Sequence, residues 1–138
     1  MRQLTVFAWS IMSGEEEPIG FDLSNPTHIF FETTKSGVQQ FPQHLAIYRT
    51  PNEDWEARAL WLGQLLSKQF KTNVMVPFTH PEKPHYPYYD IIFQDGESYL
   101  ADDGRTECGE PDSKPVVLLG AYVLPHLLFD AAGKLIKV

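Results

Sequence analysis

The stretch TPNEDWEARALWLGQLLSKQFK, residues 50–71, decides the fold. Thr50 is a favourable N-cap, Pro51 suits a first helical position, and Glu53 stands three residues after Thr50 as in a capping box. Asp54 and Glu56 complement the positive end of the helix dipole, and Lys68 and Lys71 the negative end. Asn73 follows as a candidate C-cap. Trp55, Ala59, Leu62, Leu66 and Phe70 recur at helical spacing, with Trp61 and Leu65 widening the stripe. A stripe this wide predicts a helix lying across a sheet, with the two tryptophans in the core.

Outward from the helix, the chain reads as strand and turn. Strand-like runs occupy residues 4–11, 28–34, 44–49, 74–78, 88–93, 98–101 and 116–124. Lys35-Ser36-Gly37 reads as a turn. Asp95-Gly96 between two β-prone runs is the strongest hairpin signal in the chain. In that hairpin Tyr88, Ile91 and Phe93 are expected to face the core or a neighbouring sheet. A second hairpin is expected over residues 127–138, turning near Gly133. The expected architecture is an α+β fold: a mainly antiparallel sheet with one long amphipathic helix, about 50–71, on a face, in a single domain over 1–138. A βαβ unit around the helix is an alternative.

Composition narrows the function classes. The 138 residues are 43% hydrophobic and 13% aromatic, which opposes disorder. A pI near 5.1 with no cluster of Lys and Arg opposes nucleic-acid binding. No run approaches the ~18 apolar residues of a membrane span, and the N-terminal run reads as a strand rather than a signal peptide. One cysteine, Cys108, rules out an intrachain disulfide framework and fits a cytoplasmic location. Glu107 and Glu110 flank that thiol, and neighbouring carboxylates disfavour the thiolate a nucleophile needs.

Charge is strongly localised. Residues 90–112, DIIFQDGESYLADDGRTECGEPD, hold eight carboxylates and Arg105, which is the whole net charge of −7. The other residues balance. Such a block is either a solvated loop or a docking surface for a positive partner. The docking reading takes Asp95, Glu97, Asp102, Asp103, Glu107, Glu110 and Asp112 as contact residues. Tyr86 and Tyr88, in the proline-rich segment beside them, supply aromatic anchors.

Competing chemistries are weaker. His80 and His85 are five apart among Pro77, Pro81, Pro84 and Pro87, so no helix aligns them as metal ligands. The prolines suggest a stiff, extended connector. Asp102-Asp103-Gly104 lacks the alternating ligands of a calcium loop. No nucleophile elbow, P-loop or dinucleotide fingerprint occurs. No catalytic residue, metal or cofactor is therefore assigned. In size and charge, though not in sequence motifs, the profile resembles bacterial immunity proteins and other toxin inhibitors. That resemblance implies a non-enzymatic protein that neutralises a basic partner. The alternatives are a small hydrolase or metal-dependent enzyme with a carboxylate site, and a structural or assembly subunit.

Overall fold

The helix forms, but shorter than the cap signals imply. In the computed structural model, which describes residues 5–38, 40–49, 53–106, 114–125 and 136, helix α1 runs Trp55–Phe70. Its N-cap is Asp54, in a left-handed conformation (φ 57°) with no side-chain cap bond. Aspartate tolerates that region better than most residues, and one such residue ends a helical run. Thr50 and Pro51 lie outside the described residues. At the other end Lys71, also left-handed (φ 51°), stops the helix before Asn73 is reached.

Seven strands accompany the helix among the described residues: β1 (Thr5–Ala8), β2 (His28–Val38), β3 (Phe41–Tyr48), β4 (Val74–Pro77), β5 (Tyr89–Gln94), β6 (Glu97–Asp102) and β7 (Val117–Ala121). They make two sheets rather than one. The first has the order β1-β2-β3, with β1 parallel and β3 antiparallel to β2. The second is antiparallel throughout, ordered β4-β5-β6-β7. Strands β3 and β4, which flank the helix in sequence, sit in different sheets, so no βαβ unit forms. Residues 35–37 continue β2 through a register shift between Lys35 and Val38 instead of turning. The hairpin expected over 127–138 falls almost wholly outside the described residues. The α+β class stands: two sheets and a helix of 16 residues packed on one of them.

Helix α1 lies on β4 and β5, and small residues let it approach. Its buried positions are Leu60, Gly63 and Ser67. A Cβ on Gly63 would stand 2.7 Å from Val76 Cγ2 and 3.1 Å from the Phe93 ring. Leu60, Val76, Ile91 and Phe93 form the core beneath it. The expected stripe of large residues is thus displaced: Trp55 is 56% and Trp61 40% exposed, and Leu65 and Phe70 are exposed too. Close helix–sheet contact selects the narrow face of the helix, and the bulky side chains flank it.

The opposite face of the second sheet is also covered. Ile92, Ala101 and Val116 are buried there, with Phe41 and Met75 packed against them. Phe41 comes from the first sheet. Beside it Gln40 grips Val116, accepting its backbone N–H at 2.7 Å and donating from Nε2 to its carbonyl at 3.5 Å. The first sheet carries its own aromatic row. Phe7, Phe30 and Tyr48 are register partners across three strands. Trp9 meets Phe30 at 4.7 Å and Phe21 meets Phe7 edge-on at 5.4 Å.

Candidate partner-docking surface

The β5–β6 hairpin carries most of the acids in question, and it sorts them to two ends. At the turn, Asp95 (φ 50°) and Gly96 (φ 84°) both have positive φ, which matches the type I′ geometry that an Asp-Gly pair favours. Gln94 and Glu97 close the ladder there. Asp102 pairs with Tyr89 at the far end. Six residues at about 3.3 Å each put roughly 20 Å between the ends.

The turn end is tied to the helix C-terminus. Lys71 Nζ pairs with Asp95 Oδ1 at 2.7 Å. Gly96 N–H donates to Ser67 Oγ at 2.9 Å, and Gln64 Nε2 donates to the Gly96 carbonyl at 2.9 Å. The aliphatic stem of Lys68 lies against Gly96. Glu97 accepts the Tyr99 hydroxyl at 3.1 Å, and that bond raises the Tyr99 phenol above its usual range. Asp95 and Glu97 are therefore bound up with the protein's own side chains.

The open end gathers Asp102, Asp103, Tyr86 and Tyr88. Asp102 Oδ1 accepts Gly104 N–H at 2.7 Å and Oδ2 accepts the Tyr86 hydroxyl at 2.5 Å. The Tyr86 phenol is pushed up to about 12, first by that bond, then by desolvation and by neighbouring negative charge. It remains a neutral donor through the physiological range. Asp103 N–H donates to the Tyr88 carbonyl at 2.9 Å, and Thr106 N–H to the Asp103 carbonyl at 2.8 Å, so the backbone fixes the strand exit. The Tyr86 ring meets Tyr88 edge-on at 5.5 Å and Tyr89 at 4.6 Å. Tyr86 and Tyr88 are both exposed. Tyr88 lies just outside β5, so it joins this surface instead of facing the core with Ile91 and Phe93. Glu107, Glu110, Asp112 and Cys108 lie outside the described residues.

One member of the block is not on the surface. Asp90 is 2% exposed, and its Oδ2 is buried with no hydrogen-bond partner among the described residues. Burial is the main reason its carboxyl rises to about 8; hydrogen bonding to Asp103 and the charges of Asp103 and Asp102 add to the rise. Near neutral pH this acid holds its proton and adds no charge to the surface.

The histidines part company. His80 packs edge-on to Phe78 and Tyr122 and tilted to Tyr89, while its Nδ1 accepts Glu82 N–H at 3.1 Å. The connector is a succession of turns, with Lys83 N–H bonded to the His80 carbonyl and Tyr86 N–H to that of Lys83. His85 lines a half-open cleft of about 180 Å³ between this connector and the start of α1, with Trp55, Glu56, Phe78, Tyr86 and Tyr89. Among the described residues no three His, Cys, Asp or Glu side chains group as a metal site.

No protein-family model, curated protein or solved structure matches this chain.

The surface therefore rests on its own geometry. Sequence reasoning missed Trp55, Glu56 and Tyr89 as neighbours of Tyr86. The tryptophan sat within an apolar stripe, and nothing local tells a helix flank from a helix core.

Proposed function

We propose that this chain is a small acidic protein-binding protein, an inhibitor or immunity-type protein that neutralises a basic partner such as a toxin or nuclease. The observation that carries this reading is the open end of the β5–β6 hairpin. Two exposed tyrosines stand beside Asp102 and Asp103 there, where aromatic contact area and negative charge meet on one rigid strand exit. Acid steers a cationic protein to the surface, and tyrosines supply desolvated contact once it arrives. On this reading the protein acts in the cytoplasm, without cofactor or catalysis. No described helix is long and apolar enough to cross a membrane.

The test is affinity capture from the native cell at low and high salt, followed by affinity measurement with the captured protein. A basic protein retained at low salt and shed at high salt supports the reading. If charge reversal at Asp102, Asp103, Glu107 and Glu110 leaves its affinity unchanged, the surface is wrongly assigned.

A second reading, a small hydrolase with a carboxylate site, draws on the buried, protonated Asp90. A general acid has to reach its substrate within hydrogen-bond distance, and the 2% exposure of Asp90 keeps it from any ligand on the surface. Asp90→Asn abolishing a measured hydrolytic activity, with the fold intact, would overturn this preference.

A further inference from the structure

The cleft beside Tyr86 has a composition that selects its occupant. Four aromatic residues, Trp55, Phe78, Tyr86 and Tyr89, line it together with Glu56, His85 and three prolines. At about 180 Å³ it is smaller than the roughly 300–1,000 Å³ of sites that hold whole small molecules. It has room for the end of one long side chain. Aromatic faces attract cations through their quadrupole, Trp and Tyr most strongly. Tyr86 also donates its hydroxyl proton to Asp102, which places a carboxylate at the hydroxyl edge of the ring.

Glu56 completes the electrostatics. It sits in the first turn of α1, and its Oε1 is held by Thr79 N–H at 2.7 Å. That bond fixes the carboxylate at the cleft and leaves Oε2 to receive a donor. Among side chains that carry a full positive charge throughout the neutral range, the planar one that stacks on a ring while donating to a carboxylate is the guanidinium. Trp55 is 56% exposed and Tyr86 37%, so both rings have surface left to cover.

We propose that this cleft receives a single arginine side chain of the partner, its guanidinium stacked on Trp55 and Tyr86 and bonded to Glu56. The proposal rests on the reading of the protein as a binder of basic partners and gives that surface its anchor point. It also explains a composition that packing alone does not require, since a buried core would not leave the Trp55 indole half open.

The isolated full-length chain tests it without the partner. N-acetyl-arginine methylamide is titrated into labelled protein while the Trp55 indole N–H and the Tyr86 and Tyr89 ring signals are followed by NMR. The citrulline analogue serves as the neutral isostere. The expected result is a saturable shift confined to the cleft, with a dissociation constant on the order of millimolar, and at least tenfold weaker binding of citrulline. Glu56→Gln should weaken arginine binding about 3–10-fold, as loss of a charge-assisted bond implies. Tyr86→Phe, which keeps the ring and removes the bond to Asp102, should weaken it about 2-fold. Equal binding of arginine and citrulline, or no saturable shift, overturns the proposal. If the arginine probe fails while charge reversal at Asp102 and Asp103 still releases the partner, the cleft assignment falls and the docking surface stands. If the probe binds and no basic partner is found, the reverse holds.

Discussion

The two ends of the β5–β6 hairpin carry similar charge and treat it differently. At the turn, Asp95 faces Lys71 and Glu97 takes the Tyr99 hydroxyl, so the carboxylates serve the fold. At the strand exit, Asp102 and Asp103 sit among exposed tyrosines, and Asp102 orients one of them. The difference comes from what packs nearby. The C-terminus of α1, with its lysines, lies over the turn, whereas the strand exit meets the proline-rich connector. Charge density along a sequence therefore says little about charge available to a partner.

The largest effect that separates the ends is on association. Reversing Asp102 and Asp103 to lysine should slow binding of a basic partner about 10–100-fold at low salt, by removing electrostatic steering. Reversing Asp95 and Glu97 should change it less than about 3-fold. Stopped-flow rates at two ionic strengths measure both, and equal effects would mean that the two ends are equally available to a partner.

Asp90, beneath the open end, gives the next largest effect. Its folded-state carboxyl, near 8, lies above its ordinary 3.8. Below about pH 4 it is protonated whether the chain is folded or unfolded. Between pH 4 and 8 the unfolded chain sheds the proton and the folded chain keeps it, so wild-type stability falls as pH rises through this window. Asp90→Asn, permanently neutral, should be more stable than wild type at pH 8 by ~1–3 kcal/mol and no more stable at pH 4. Urea denaturation at several pH values decides this. A gain that grows toward acid pH would contradict the burial argument.

Two smaller effects concern the turn. Gly96→Ala places a Cβ at φ 84° against the Lys68 stem and should cost about 1–2 kcal/mol. Asp95→Ala removes an exposed ion pair whose partners are 74% and 67% exposed, and should cost only ~0.2–1 kcal/mol. A thermal-melt series on the two variants checks the order. If Asp95→Ala proves the more damaging, the ion pair holds the turn more firmly than its exposure implies.

Parts of this arrangement were legible in the sequence for identifiable reasons. The hairpin was, because Asp-Gly chemistry is local and the turn needs two positive φ values. The helix was legible in kind but not in extent. Its cap signals at Thr50 and Asn73 competed with left-handed residues at Asp54 and Lys71, and local preference did not reveal which would win. Its packing face misled, because Gly63 and Ser67 signal weakly in a hydrophobic pattern while providing the close approach. The burial of Asp90, one of the eight carboxylates of the charged block, was not legible for a further reason. Strand β5 is internal to its sheet and buried on both faces, with α1 over one and Phe41 of the first sheet packed against the other. Alternation places a polar residue outward only when one face meets water.

The grip of Gln40 on Val116 spans 76 positions of the chain. The β5–β6 hairpin, by contrast, forms from neighbours a few residues apart. Loop closure over so long a segment costs more entropy than any local pairing. The expected order of assembly is hairpins and helix early, from nearby contacts, and the seam between the two sheets late.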